Sequence, residues 1–110
     1  MLKNPKFEIV TRCFGGCKKL VNFEIPSFVT KIEDNAFQNC SNLYEITVHS
    51  SLTKIGCYAF DNCERLKNFS IPSSVTLIGR YAFADCSSLT KIEIPSSITS
   101  IEENAKHYHK

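Results

Sequence analysis

The sequence has little net charge, no tryptophan and no long run of apolar residues. Its 13 basic and 11 acidic residues leave a formal charge of +2, which is too small to favour nucleic acid or an acidic membrane as a partner. No stretch approaches the roughly 20 apolar residues of a membrane span, and the N-terminus lacks the apolar core of a secretion signal. At 110 residues, the chain forms one domain at most.

The sequence also lacks the common motifs of catalytic and phosphate-binding sites. It has no Gly-rich phosphate loop, no His-Glu-x-x-His pair and no nucleophile elbow. Gly15-Gly16 is not followed by the Lys-Ser/Thr pair that a phosphate loop requires. We interpret His49 as a surface turn residue. We therefore expect neither catalytic residues nor a cofactor.

What the sequence does contain is a repeat marked by cysteine. One cysteine recurs every 23 residues, as Cys17, Cys40, Cys63 and Cys86. The third residue after each is leucine, as Leu20, Leu43, Leu66 and Leu89. An Ala-Phe pair comes near the end of three units, as Ala36-Phe37, Ala59-Phe60 and Ala82-Phe83. A fixed period of about 20–29 residues with such an apolar pattern indicates a leucine-rich-repeat solenoid.

Each unit has one short stretch with the period of 2 that is typical of a strand. In Leu66 to Ile71 apolar and polar residues alternate, and Pro72 then ends the strand because it lacks an N–H group. We expect parallel strands, about 4.8 Å apart, near residues 22–25, 45–48, 68–71 and 91–94. These strands would form the concave face, and short irregular or helical segments would form the convex face.

The register predicts a single array over residues 1–110. It comprises a partial N-terminal repeat (1–16), three full repeats (17–39, 40–62 and 63–85) and a degenerate C-terminal repeat (86–110). In the last repeat Lys106 stands where phenylalanine is expected, and His109 stands where cysteine is expected. Uncapped ends of a solenoid expose apolar core and a strand edge, which favours self-association through the ends.

The unit C-x-x-L-x-x-I-x-I-P-S-S-V-T-x-I-G-x-x-A-F, clearest over residues 63–83, resembles the BspA-like (Treponema pallidum-type) leucine-rich repeat of bacterial and protist surface proteins. The resemblance implies a curved solenoid that is not an enzyme and binds proteins, through adhesion to a host matrix protein or a neighbouring cell. It also implies a cell-surface or secreted location. Because the chain shows no signal peptide, a cytoplasmic scaffold or regulatory protein is the alternative.

The strand residues that alternate with the core form the candidate binding strip. By register these residues are Asn22, Glu24, Glu45, Thr47, Asn68, Ser70, Lys91 and Glu93. The strip is polar and mildly acidic, and it lacks the Trp, Tyr and Arg that dominate protein hot spots. A protein-binding surface and a hydrated face without a partner both fit this composition.

The repeated cysteines are interpreted as core-filling thiols. Equivalent side chains in stacked turns point the same way, with Cβ atoms near 5 Å instead of the roughly 3.8 Å of a disulfide. Cys57 aligns with Asp34 and Arg80, so we expect it to be exposed and the cysteine most prone to oxidation.

A zinc site is the remaining possibility for cysteine and histidine. Its candidate ligands are Cys13, Cys17, His107 and His109. The register places the cysteine pair and the histidine pair about four turns apart, or roughly 20 Å by strand spacing. Zinc ligands lie only about 2.0–2.3 Å from the metal, so we expect no metal site within one chain.

Overall fold

The computed structural model describes residues 16–67, 69–89, 92–93, 95–98 and 100–101. Within these residues lie six strands: β1 (Asn22–Glu24), β2 (Lys31–Ile32), β3 (Glu45–Thr47), β4 (Lys54–Ile55), β5 (Leu77–Ile78) and β6 (Ser100–Ile101). No helix in this part of the chain is long and apolar enough to cross a bilayer.

The strands form two parallel sheets, both with the register of the repeat. In the first sheet β1 pairs with β3, and Phe23 lies opposite Ile46. The second sheet has the order β2-β4-β5-β6, and Ile32 lies opposite Ile55. Each paired residue is one repeat, 23 positions, from its partner, so successive turns stack directly on one another. The predictions of parallel strands near 22–25 and 45–48 and of their register are confirmed.

Two of the predicted strands, at residues 68–71 and 91–94, are not found among the described residues. The described residues of segments 68–71 and 91–94 lie outside the strands, although Phe69 and Ile71 are buried and Ser70 is exposed. A groove of about 380 Å³ is lined by both β3 and residues of the next turn, Lys67, Phe69 and Ser70. The alternation therefore persists in this turn, and the Lys67 N–H group donates to the Tyr44 carbonyl of the preceding turn at 3.0 Å, although no strand lies at residues 69–71.

The second sheet was not expected, since sequence analysis placed irregular or helical segments there. Its strands have two residues each, with a buried isoleucine at the second position of β2, β4 and β5. A two-residue strand with one buried side chain shows no period of 2. Such a strand becomes recognisable only when the next turn is seen to pair with it.

The core lies between these sheets and is built from rows of identical side chains. Phe37, Phe60 and Phe83 are at most 1% exposed. Their rings stack in sequence, with centroids 5.3 Å apart for the first pair and 5.5 Å for the second, and nearly parallel planes. Phe69 is packed against Phe60 and Phe83 at 5.3 and 5.4 Å. Aromatic pairs of this kind add roughly 0.5–1.5 kcal/mol beyond their burial.

Between the second sheet and the next cysteine, each repeat contains a run of consecutive turns, at residues 34–39, 57–62 and 80–85. The N–H groups that donate to the next repeat are those of Asn35, Phe37 and Asn39, at 3.0, 2.8 and 2.9 Å. The N–H groups that donate three residues back are those of Ala36, Gln38 and Cys40. Alternate peptides thus stack the repeats and close the turns, which satisfies the backbone without a helix.

This alternation uses a left-handed backbone at two positions of each repeat. One is the residue before the cysteine, as in Gly16, Asn39, Asn62 and Asp85, with φ between 57° and 73°. The other is Asn35, Tyr58 and Tyr81, with φ between 56° and 64°. Glycine, asparagine and aspartate adopt this conformation most readily, so the first position follows local preference.

Candidate functional site

The outer side of the first sheet, continued through the next two turns, carries most of the predicted strip. We call this surface the first face and define it by its described members Asn22, Glu24, Glu45, Thr47, Ser70 and Glu93. All six are exposed. Asn68 and Lys91, also predicted for the strip, lie outside the described residues. The structure therefore places the six described residues on one solvent-facing surface, and their role in binding stays a prediction.

The first face is held in place by the buried residues that alternate with it. Ile46, between Glu45 and Thr47, is 4% exposed, and Phe69, before Ser70, is 8% exposed. Because the side-chain period of a strand is 2, burying these residues directs their neighbours to solvent. The Ile25 N–H group also donates to the Thr47 carbonyl at 2.9 Å and extends the pairing of β1 with β3.

Two shallow grooves run along the first face. The first, of about 380 Å³, is lined by β3, Val48, Lys67, Phe69 and Ser70. The second, of about 280 Å³, is lined by Phe69, Ser70, Ile71 and Glu93. They share Phe69 and Ser70, and an exposed glutamate lines each of them, Glu45 in the first and Glu93 in the second. Sequence reasoning missed the grooves because they depend on the spacing between turns.

A contact between His49 and Glu24 borders the first face. His49 Nε2 lies 3.0 Å from Glu24 Oε2, with the His49 side chain 34% exposed and that of Glu24 69% exposed. His49 was expected to be a surface turn residue, and its contact with Glu24 was not foreseen. It stands where other repeats carry proline, and β1–β3 pairing brings it beside Glu24 of the preceding turn. This pair was missed, although the register of the repeat could have predicted it.

Two apolar side chains lie at the entry to the first sheet. Val21 and Tyr44, one repeat apart, are 49% and 39% exposed, and the Tyr44 N–H group donates to the Val21 carbonyl at 2.7 Å. Sequence analysis did not include them because they precede the strands. Tyrosine is among the residues that anchor protein interfaces, so Tyr44 supplies the aromatic side chain that the predicted strip lacks.

The cysteine row belongs to the core and not to a reactive site. Cys40, Cys63 and Cys86 are fully buried, which confirms the core-filling interpretation for these three residues. The Cys63 thiol donates to the Phe37 carbonyl at 3.1 Å, and the Cys86 thiol donates to the Phe60 carbonyl at 3.0 Å. Burial raises the pKa of Cys86 to about 12 and also raises the pKa of Cys63. Such thiols stay protonated and unreactive at neutral pH.

Cys57 is less exposed than sequence analysis expected. It is half-buried, and its N–H group donates to Asp34 Oδ1 at 2.8 Å. The close stacking of adjacent turns at this corner covers part of the side chain. Among the described residues, no disulfide forms.

No group of three or more His, Cys, Asp or Glu in the described part of the chain is arranged to hold a metal ion. Of the candidate zinc ligands, Cys17 is half-buried. Cys13, His107 and His109 lie outside the described residues. The described surface thus offers grooves, carboxylates and an exposed aromatic side chain, which suit contact with another macromolecule.

Comparison with solved structures gives several close matches. A leucine-rich repeat protein of T. pallidum aligns with a TM-score of 0.88 and 34% identity, over 91% of this chain and 47% of that one. A leucine-rich cell surface protein of Faecalibacterium prausnitzii aligns with a TM-score of 0.84 and 35% identity, over 96% of this chain and 30% of that one. A leucine-rich repeat protein of Bacteroides ovatus aligns with a TM-score of 0.67 and 31% identity, over 83% of this chain and 30% of that one.

The chain therefore spans less than half the length of these solved proteins. A search of curated proteins found no match. The family described as BspA type leucine rich repeat region matches residues 3–109 in six copies. Leucine-rich repeats are generally a non-catalytic fold for protein interaction. Together with the register of 23 residues and the parallel strands, this match shows that the chain belongs to the BspA-type leucine-rich repeat family.

Proposed function

We propose that the chain is a non-catalytic protein-binding module that mediates adhesion to a host or neighbouring-cell protein through the first face. We further propose that this face is the concave side of a curved solenoid spanning residues 1–110. The observation that carries the proposal is the arrangement of the first face. Its six described residues are all exposed and polar, and they follow consecutive turns in one register.

A role at the cell surface or outside the cell accords with this function. One similar structure is named a leucine rich cell surface protein. An array this short offers only a small contact area, so a single chain would bind weakly. Repetition in a longer protein, or clustering of many copies, would raise the overall affinity without new contacts.

Binding to immobilised fibronectin and fibrinogen tests the proposal. We expect saturable binding that Glu45→Lys/Glu93→Lys abolishes. The matched control is Glu64→Lys/Ser50→Lys/Ser73→Lys, which raises the net charge by the same amount at residues that are exposed but outside the first face. Circular dichroism would establish that both variants are folded.

Equal loss of binding in the control would show that overall charge is responsible and not the first face. Absence of saturable binding to either protein by the folded parent would contradict adhesion to these matrix proteins.

A further inference from the structure

Two tyrosine rings stack on each other between adjacent turns, away from the first face. Tyr58 and Tyr81 occupy the same position of consecutive repeats, 23 residues apart. Their ring centroids are 5.4 Å apart, with an angle of 24° between the ring planes, and both residues are half-buried. The rings are therefore in contact with each other and still partly open to solvent.

Local backbone preference does not account for tyrosine at this position. Tyr58 and Tyr81 have φ angles of 59° and 56°, in the left-handed region that disfavours bulky side chains. The equivalent residue of the preceding turn is Asn35, which adopts a φ of 64° with less strain, and Asn104 stands at the same position one repeat after Tyr81. Strained residues that a fold retains concentrate at functional positions, so the tyrosine pair points to a function.

The backbone holds the two tyrosines in a fixed register. The Tyr58 N–H group donates to the Arg80 carbonyl at 2.9 Å, which places Tyr58 directly beside Tyr81 of the next turn. Within each turn the tyrosine carbonyl accepts a hydrogen bond at 3.2 Å from the N–H group three residues later, that of Asp61 or Ala84. Because both side chains leave equivalent backbones and already touch, a reaction between the rings needs no diffusional encounter.

We propose that Tyr58 and Tyr81 form an oxidative cross-linking site, at which a haem peroxidase and hydrogen peroxide join the two rings as dityrosine. The oxidised haem removes one electron from each phenol, and each hydroxyl group loses its proton to water. The two tyrosyl radicals couple by forming a bond between one Cε carbon of each ring. The hydrogens on those carbons then move to the phenol oxygens, which restores both aromatic rings. The two electrons and two protons reduce one hydrogen peroxide to two water molecules.

The cross-link joins two adjacent turns covalently. It closes a loop between residues one repeat apart, and such a loop restricts the unfolded chain as a disulfide does. The buried thiols of Cys63 and Cys86 are protected from the oxidant, so the core stays intact while the surface is linked. The inference is independent of the proposed function, because neither tyrosine belongs to the first face.

Treatment of a dilute sample with a haem peroxidase and hydrogen peroxide tests this inference. We expect dityrosine fluorescence in the monomer. After proteolysis, mass spectrometry should find the peptides of Tyr58 and Tyr81 joined, with a mass lower by two hydrogen atoms. The cross-linked monomer should also have a Tm higher by at least about 5 °C, because its unfolded state is restricted.

Tyrosine variants identify the site. Tyr58→Phe and Tyr81→Phe keep both rings but remove one phenol, so each should abolish the cross-link. The sequence has four tyrosines. The matched control, Tyr44→Phe/Tyr108→Phe, removes the other two and should leave the cross-link intact.

The half-buried thiol of Cys57 precedes Tyr58 and competes for the oxidant. Cys57→Ser removes this route, and a cross-linked monomer from either the parent or Cys57→Ser supports the inference. Its absence from both proteins overturns the inference. A cross-link that persists in Tyr58→Phe or Tyr81→Phe, dityrosine found only between chains, or an unchanged Tm of the cross-linked monomer also overturns it.

Discussion

At the scale of single residues, the close stacking of turns decides which side chains each position accepts. Tyr58 and Tyr81 adopt a left-handed backbone, which costs an ordinary residue roughly 1–2 kcal/mol. Their rings stack with centroids 5.4 Å apart, a contact worth roughly 0.5–1.5 kcal/mol. The ring contact thus offsets part of the backbone cost, whereas Asn35 holds the same position with little strain.

Gly79→Ala should destabilise the protein by about 1–3 kcal/mol, the usual cost of overpacking. A Cβ atom at Gly79 would lie 2.6 Å from the Cys57 backbone nitrogen and 2.8 Å from the Gly56 carbonyl carbon. Backbone atoms of the preceding turn cannot move aside as a flexible side chain can. Denaturant unfolding measures the change, and the exposed Ser73→Ala serves as the control. Unchanged stability of Gly79→Ala would show that the turns are not this close.

Asp61 gives the stability a dependence on pH. Partial burial, aided by nearby Asp85, raises the pKa of the Asp61 carboxyl above its ordinary 3.8, although Gln38 donates to it at 2.9 Å. Because the folded-state pKa is raised, this group favours folding when protonated. Its contribution is fully present below the unfolded pKa and is lost as pH rises through the folded pKa.

We therefore expect Asp61→Asn to raise Tm at neutral pH and to leave Tm nearly unchanged at about pH 3, where the carboxyl is already protonated. The asparagine oxygen still accepts a hydrogen bond from Gln38, so the neighbouring contact remains. Thermal unfolding followed by circular dichroism at both pH values measures the difference. A lower Tm at neutral pH would contradict the assigned direction of the pKa shift.

At the scale of elements, hydroxyl groups at one turn of the repeat join successive turns. Donors in this row are Ser51, Ser74 and Ser97, and their acceptors are the carbonyls of Val29, Leu52 and Val75. Threonine adds a second row, in which Thr53 donates to the Thr30 carbonyl at 3.0 Å. The second serine of the Ser-Ser pair at this turn thus links two repeats and does more than complete a local turn.

Ser74→Ala should cost about 1 kcal/mol of unfolding free energy, because it removes one hydrogen bond and leaves the Leu52 carbonyl without this donor. The adjacent Ser73 is exposed, and Ser73→Ala should change stability by less than about 0.5 kcal/mol. Urea denaturation of the two variants gives a direct comparison. Equal effects would mean that the serine row does not join the turns.

The elements that sequence analysis predicted are those that a repeating pattern describes. The strands near residues 22 and 45 combine the period of 2 with the period of the repeat, so their position and register were both predictable. The strand at Leu77–Ile78 was not, since it buries one side chain and is defined only by pairing with its neighbours. The local sequence pattern therefore predicts a strand with alternating side chains, but it does not predict a short strand that is defined by its pairing with the next turn.

For the candidate site, the exposed residues could be predicted from the sequence, whereas the contacts between turns could not. Alternation around Ile46 and Phe69 placed Glu45, Thr47 and Ser70 on the exposed side. The grooves and the pair of His49 with Glu24 depend on contacts between turns, which single-repeat reasoning does not include. Tyr44 was omitted because it precedes its strand, although it is 39% exposed.

At the scale of the whole molecule, stability comes from contacts between neighbouring turns. No single repeat buries its own apolar residues, because the Phe37–Phe60–Phe83 row and both sheets are formed between repeats. Repeat arrays behave as a sum of repeat and nearest-neighbour terms. A short array has few such terms, so damage to a central turn affects the whole molecule.

Ile78→Asp should abolish cooperative folding. Ile78 is 1% exposed and lies in β5, at the centre of the second sheet between β4 and β6. An unpaired buried charge costs several kcal/mol, against a total stability of about 5–15 kcal/mol for a domain. Thermal unfolding measures the loss, with the exposed Ser73→Asp as the control. A folded monomer with unchanged Tm would contradict the core assignment.

Carboxylate footprinting of the protein bound to fibronectin tests the central claim most directly. Carbodiimide labelling of exposed carboxyl groups, read by mass spectrometry, compares the free and bound states residue by residue. The account predicts that binding protects Glu45 and Glu93 and leaves Asp34 and Glu64, which are exposed outside the first face, labelled as before. Protection centred on Asp34 or Glu64, or no protection at all, would contradict binding through the first face.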